Sequence, residues 1–67
     1  MKKLSLVICV YNEEDNVLPL AVQIKNALNE YDFEAIFVDD GSTDSTKDKI
    51  RQIGDKRFTL LELSKNF

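Results

Sequence analysis

The stretch EAIFVDDGST, Glu34 to Thr43, decides the fold. Ala35, Ile36, Phe37 and Val38 are apolar at successive positions, which suits a strand buried on both faces. Two adjacent acids then meet a glycine and two hydroxyl side chains. Asp, Gly, Ser and Thr favour turns and helix caps, so the strand ends in a turn that opens a helix, with Ser42 or Thr43 as its cap. Two like charges at the mouth of an apolar run repel, and either is costly to desolvate. The pair is therefore a solvated turn, or a set of acceptors held at a strand end for a ligand.

Working outward, Leu4 to Val10 is nearly continuously apolar and reads as an earlier buried strand. Between the two strands, from about Asn16 to Glu30, Val17, Ala21, Ile24 and Leu28 recur at helical spacing, with Leu20 and Ala27 alongside. Asp15 or Asn16 caps this helix, Pro19 falls in or just after its first turn, and Tyr31-Asp32 closes the segment. After the acidic turn, Thr46, Ile50 and Ile53 share a helix face, and Gly54 ends that helix. Arg57 to Leu63 is a third strand.

The order is βαβαβ. Strands separated by helices run parallel, and right-handed crossovers give the spatial order 3-2-1 with both helices on one face. All three strands then end at one sheet edge, where ligands of open α/β sheets bind. That edge gathers Tyr11-Asn12-Glu13, Asp39-Asp40-Gly41 and Ser64-Lys65-Asn66. Two helices cover only one sheet face, yet the strands carry apolar residues at odd and even positions alike. Leu4, Leu6, Ile8 and Val10 point one way, and Val7 and Cys9 the other. The second face needs a cover that this chain does not supply. The expectation is a piece of a larger domain, or a chain that associates with itself.

Size and composition narrow the classes. The 67 residues make at most one small domain, burying about 60% of the unfolded surface. Hydrophobic residues make up 43% and charged residues 31%, as in ordinary globular chains. A net charge of -3 argues against nucleic-acid binding. Lys47, Lys49 and Arg51 alternate with Asp48 and read as a solvated helix face. One cysteine and no histidine exclude an internal disulfide, the usual zinc site and histidine-dependent nucleophile triads, and suit a reducing cytoplasm. The apolar run after Met1-Lys2-Lys3 is short for a signal core and leads into Tyr11-Asn12-Glu13-Glu14-Asp15 rather than a small-residue cleavage site. No run is long enough to span a bilayer.

On strand geometry, Asp39 and Asp40 point to opposite sides, so one can face a ligand while the other caps the turn. Asp44 sits in the first helical turn as a dipole-complementing charge. Tyr11 stacks on a flat base or lids the core. Glu13 accepts hydrogen bonds from a ligand or simply starts a helix. Gly41 serves a turn with positive φ, and no glycine-rich phosphate loop is present. Lys65 reads as a solvated lysine, with a phosphate contact as the alternative. Cys9 reads as a small core residue.

Taken together, LSLVICVYNEEDNV, FEAIFVDDGSTDST and LLELSKNF resemble, in order and spacing, the start of family 2 glycosyltransferases. The closest likeness is to the membrane-linked branch that passes a hexose from a nucleotide sugar to a polyprenyl phosphate, such as bactoprenol glucosyltransferases. The resemblance implies a GT-A fold, of which residues 1–67 are the Rossmann-like βαβαβ nucleotide-binding half. It implies nucleotide contacts from Cys9, Tyr11 and Glu13, with Asp40 on the base and Asp39 beside it. Cys9 departs from the common pattern of proline or a small polar residue, which points to a contact through backbone.

The resemblance further implies a UDP-linked donor, a polyprenyl phosphate acceptor, and inverting transfer in which a base activates the acceptor and Mg or Mn steadies the departing diphosphate. The family's Asp-x-Asp metal motif, catalytic base and membrane helices fall beyond Phe67. The expectation is a cytoplasmic segment that is not catalytic alone, from a parent attached to the cytoplasmic face of a membrane. Two other classes compete with this reading. One is a non-catalytic interaction or self-associating module. The other is a phosphoryl-accepting regulatory domain, which would carry its acidic pair after the first strand rather than the second.

Overall fold

The computed structural model describes residues 3–63. The elements alternate as the apolar pattern requires: β1 (Lys3–Val10), α1 (Val17–Ala27), β2 (Asp32–Asp39), α2 (Thr46–Arg51) and β3 (Phe58–Glu62). The strands form one parallel sheet in the order β1-β2-β3, which is the 3-2-1 order read from the other edge. Val10 pairs with Asp39 and Asp39 with Glu62, so all three strands finish level at one edge.

Both helices lie on one face. Val10, Val17, Phe37 and Ile50 form one buried cluster, and Ile24, Phe33 and Ala35 form another. Leu4, Leu6, Ile8, Leu20, Phe58 and Leu60 complete these clusters as partly buried neighbours. Phe58 ties strand to strand: its ring meets Phe33 edge-on at 5.8 Å and stacks on Phe37 at 6.2 Å.

The opposite face is open. Val7 is 66% exposed, Leu61 is 50% exposed and Cys9 is also exposed, while Ile36 and Val38 are half-buried. The register lines up Cys9, Val38 and Leu61 in one row across the sheet, with Val7, Ile36 and Thr59 in the next. Cys9 is thus a surface residue of this open face, not a core residue, because the alternation that buries Val10 turns its neighbour outward.

The boundaries differ from expectation in three places. α1 stops at Ala27, and Leu28 to Glu30 form a turn closed by the Tyr31 N–H on the Leu28 oxygen at 2.9 Å. Ala27 is exposed, and Asp32 begins β2 instead of closing the helix. α2 is only six residues long and starts after Ser45, not after Ser42 or Thr43. A helix this short does not hold itself together, so Thr46 and Ile50 must pin it to the core. Gly54 closes the segment with φ 68° two residues past the C-cap Gln52. Lys47 and Arg51 both pair with Glu62 on β3, at 3.5 and 3.0 Å, so this face of α2 is partly neutralised by the sheet.

Candidate functional site

The level strand ends create a ledge built from the β1–α1 loop and the β2–α2 loop. Asp39 and Asp40 part company there. Asp39 is 1% exposed. One carboxylate oxygen accepts the Ser42 N–H at 3.0 Å, and the other accepts the Ser42 hydroxyl in a very short hydrogen bond. A buried carboxylate needs hydrogen-bond donors, and this turn supplies them. Asp40 is exposed, and its N–H donates to the Val10 oxygen at 3.1 Å. The alternation expected of a strand thus sends one acid inward as an anchor and the other outward.

Ser42 serves two loops at once. While its hydroxyl donates to Asp39, its oxygen accepts the Asn12 N–H at 2.9 Å. Asn12 returns the contact, accepting the Thr43 N–H on Oδ1 at 2.9 Å. Asn12 does this with φ 51°, the one positive φ outside glycine among the described residues. Asparagine tolerates that conformation better than most residues. Gly41 takes φ 81° in the facing loop, where a side chain would be strained.

A second tie has the same design. The Thr46 side chain is fully buried, and its hydroxyl donates to Asp44 Oδ1 while accepting the Glu13 N–H at 2.8 Å. Asp44 Oδ1 also takes the Thr46 N–H at 2.9 Å, and Oδ2 takes the Glu14 N–H at 3.4 Å. Glu14 in turn accepts the Ser45 N–H at 3.0 Å. Burial pushes the Asp44 carboxyl up, but the Thr46 and Glu14 donors together outweigh it and hold it below its ordinary value. Asp44 therefore caps α2 and crosses to the other loop.

These ties fix where the remaining candidates stand. Tyr11 lies between Val10, which bonds Asp40, and Asn12, which bonds Ser42. It is 56% exposed. Glu13 is half-buried, its backbone oxygen accepts the Asn16 and Val17 N–H groups, and its Oε2 accepts Asn16 Nδ2 at 2.9 Å. Asn16 is the N-cap position of α1 but makes no side-chain cap bond, and its backbone is helical rather than extended at φ -107° and ψ -15°. A hollow of about 220 Å³ between β1 and α1 is lined in part by Cys9 and Glu13. The Cys9 side chain itself lies on the open sheet face. The Leu63 N–H reaches the Asp39 oxygen at 3.0 Å, so β3 also arrives at this edge. Ser64, Lys65 and Asn66 lie outside the described residues.

The role of Asn12, Ser42 and Thr46 in joining the two loops is what the sequence did not disclose. Their partners sit 30 to 33 positions away, so local pattern carries no trace of them. Among the described residues, no three carboxylate or thiol groups converge as cation ligands. No described helix is long and apolar enough to cross a membrane.

Comparison with known proteins shows the family. The family model described as Glycosyl transferase family 2 matches residues 5–67. A dodecaprenyl-phosphate galacturonate synthase of Rhizobium johnstonii is 41% identical over 70 residues, covering 97% of this chain and 21% of the relative. A dolichol-phosphate mannosyltransferase of Pyrococcus furiosus is 39% identical over 54 residues, covering 81% of this chain and 15% of the relative. The chain thus spans about a fifth or less of the length of these relatives. No solved structure matches it.

Proposed function

The chain belongs to glycosyl transferase family 2, and from that membership we propose that it is the nucleotide-recognising part of a GT-A hexosyltransferase. The donor is a nucleotide sugar, UDP-linked, and the acceptor is a polyprenyl phosphate. The two relatives, whose names carry dodecaprenyl phosphate and dolichol phosphate, support that acceptor class. The single observation that carries the reading is the ledge, where an exposed tyrosine, a half-buried glutamate and one outward carboxylate share a sheet edge.

Each residue has a task suited to its position. The Tyr11 ring stacks on the base. Asp40 accepts from a base N–H, and Asp39 stays behind it as the buried anchor. Glu13 accepts from a ribose hydroxyl. Cys9 contributes backbone at the end of β1. The catalytic base and any cation ligands belong to other parts of the parent, so this segment binds and orients the donor without transferring it. The parent works on the cytoplasmic face of a membrane.

Titration with UDP, UDP-glucose and GDP-mannose, followed by amide NMR, tests this. Shifts confined to Tyr11, Glu13, Asp40 and their neighbours are expected. Silence at all three under saturating nucleotide overturns the reading.

The open sheet face favours a second role beside the first. Val7, Cys9, Val38 and Leu61 form an apolar surface that another part of the parent or a second copy would cover. A mass by light scattering that rises with concentration, with no response to nucleotide, would favour self-association as the main role.

A further inference from the structure

We propose that Asp39 and Asp44 are positioning residues which act through the Ser42 and Thr46 hydroxyls to set the backbone of Asn12 and Glu13, and thereby the aim of Tyr11 and Glu13 toward Asp40. This rests on the nucleotide reading of the ledge and deepens it, by assigning specificity-setting work to residues that touch no ligand.

The two ties repeat one arrangement. A carboxylate of the β2–α2 segment accepts a hydroxyl proton, and that hydroxyl oxygen accepts an amide proton of the β1–α1 loop. The first runs from Asp39 through Ser42 to the Asn12 N–H at 2.9 Å. The second runs from Asp44 through Thr46 to the Glu13 N–H at 2.8 Å. Consecutive amides are therefore held by separate carboxylates. A hydroxyl oriented by a carboxylate presents its lone pair in one direction, so each tie fixes a direction as well as a distance. Asn12 sits at φ 51°, a conformation the surroundings must impose on a non-glycine residue. Asp39 and Thr46 are buried at 1% and 0% exposure, out of reach of a ligand on the ledge. Their influence on binding must pass through the loop they hold.

The test is a set of coupled variants in the complete gene product, with UDP and UDP-glucose as probes. Ser42→Ala and Thr46→Val each remove one hydroxyl and should weaken nucleotide binding about tenfold, the scale of one lost buried hydrogen bond. Thr46→Ser keeps the hydroxyl and should recover the affinity. The deciding measurement combines Ser42→Ala with Tyr11→Ala. If Ser42 acts by aiming Tyr11, its effect nearly vanishes once Tyr11 is gone, so the two losses are strongly non-additive. Strict additivity, or failure of Thr46→Ser to recover binding, overturns the positioning role while leaving the ledge reading intact. Unchanged affinity in both Tyr11→Ala and Asp40→Ala overturns the ledge reading and this inference with it. Amide spectra of each variant establish that the sheet is retained, and Thr46→Ser supplies the comparison should Thr46→Val fail to fold.

Discussion

Adjacent identical residues do opposite work here. Asp39 is enclosed and answers to Ser42, whereas Asp40 faces solvent at the same turn. Asp39→Ala strips the Ser42 N–H and hydroxyl of their acceptor in a buried place, which costs about 1–3 kcal/mol. Its thermal midpoint should fall clearly, while Asp40→Ala should move the midpoint less and nucleotide affinity more. Calorimetry beside nucleotide titration reads both, and equal loss of stability in the two variants would contradict the division. The sequence already told that the pair splits, since neighbouring strand residues face opposite ways. What it concealed was the hold on Asp39. Ser42 or Thr43 was expected to cap α2, but the Ser42 hydroxyl goes to Asp39 and Asn12 across the ledge, and the Thr46 N–H at the helix start is taken by Asp44.

Among the elements, α2 and the turn before β3 are the ones with the least of their own to stand on. Six residues make too few internal hydrogen bonds for an independent helix. Ile50, 4% exposed against Phe37 and Val17, is its main apolar anchor. Ile50→Ala should cost about 3 kcal/mol and loosen α2 selectively, seen as faster amide exchange in residues 46–51 than in α1. The turn into β3 depends on charge. Asp55 accepts from the Arg57 backbone and guanidinium at 2.7–3.0 Å, and the guanidinium lies 4.5 Å from the Phe33 ring centre. These bonds hold the Asp55 carboxyl at about 2, below its ordinary 3.8. A carboxyl depressed by folding stabilises the fold above its ordinary value, and that contribution fades as pH falls from 3.8 toward about 2. Denaturation curves across that window should show stability declining with acid, and Asp55→Asn should flatten the decline. The strands and their parallel order were legible because buried apolar runs of five to seven residues alternate with helical spacing. The length of α2 was not, because the hydroxyl-rich run before it suits a helix start at several positions and distant partners choose among them.

For the molecule as a whole, the asymmetry of the sheet matters most. One face is filled by two helices and the other shows Val7 at 66%, Leu61 at 50% and an exposed cysteine. Val7→Lys with Leu61→Lys should leave the fold intact, since neither side chain joins either buried cluster, and should reduce any association of the 67-residue chain. Sedimentation of the double variant against the parent sequence reads this, and unchanged association would place the contact elsewhere. The two ties on the ledge also draw on one part of the chain alone. Every bond in them closes within residues 12 to 46, ahead of β3 in the order of translation. The ledge is thus tied together by residues of the first two strand-to-helix loops and their flanking elements, independently of the strand that follows.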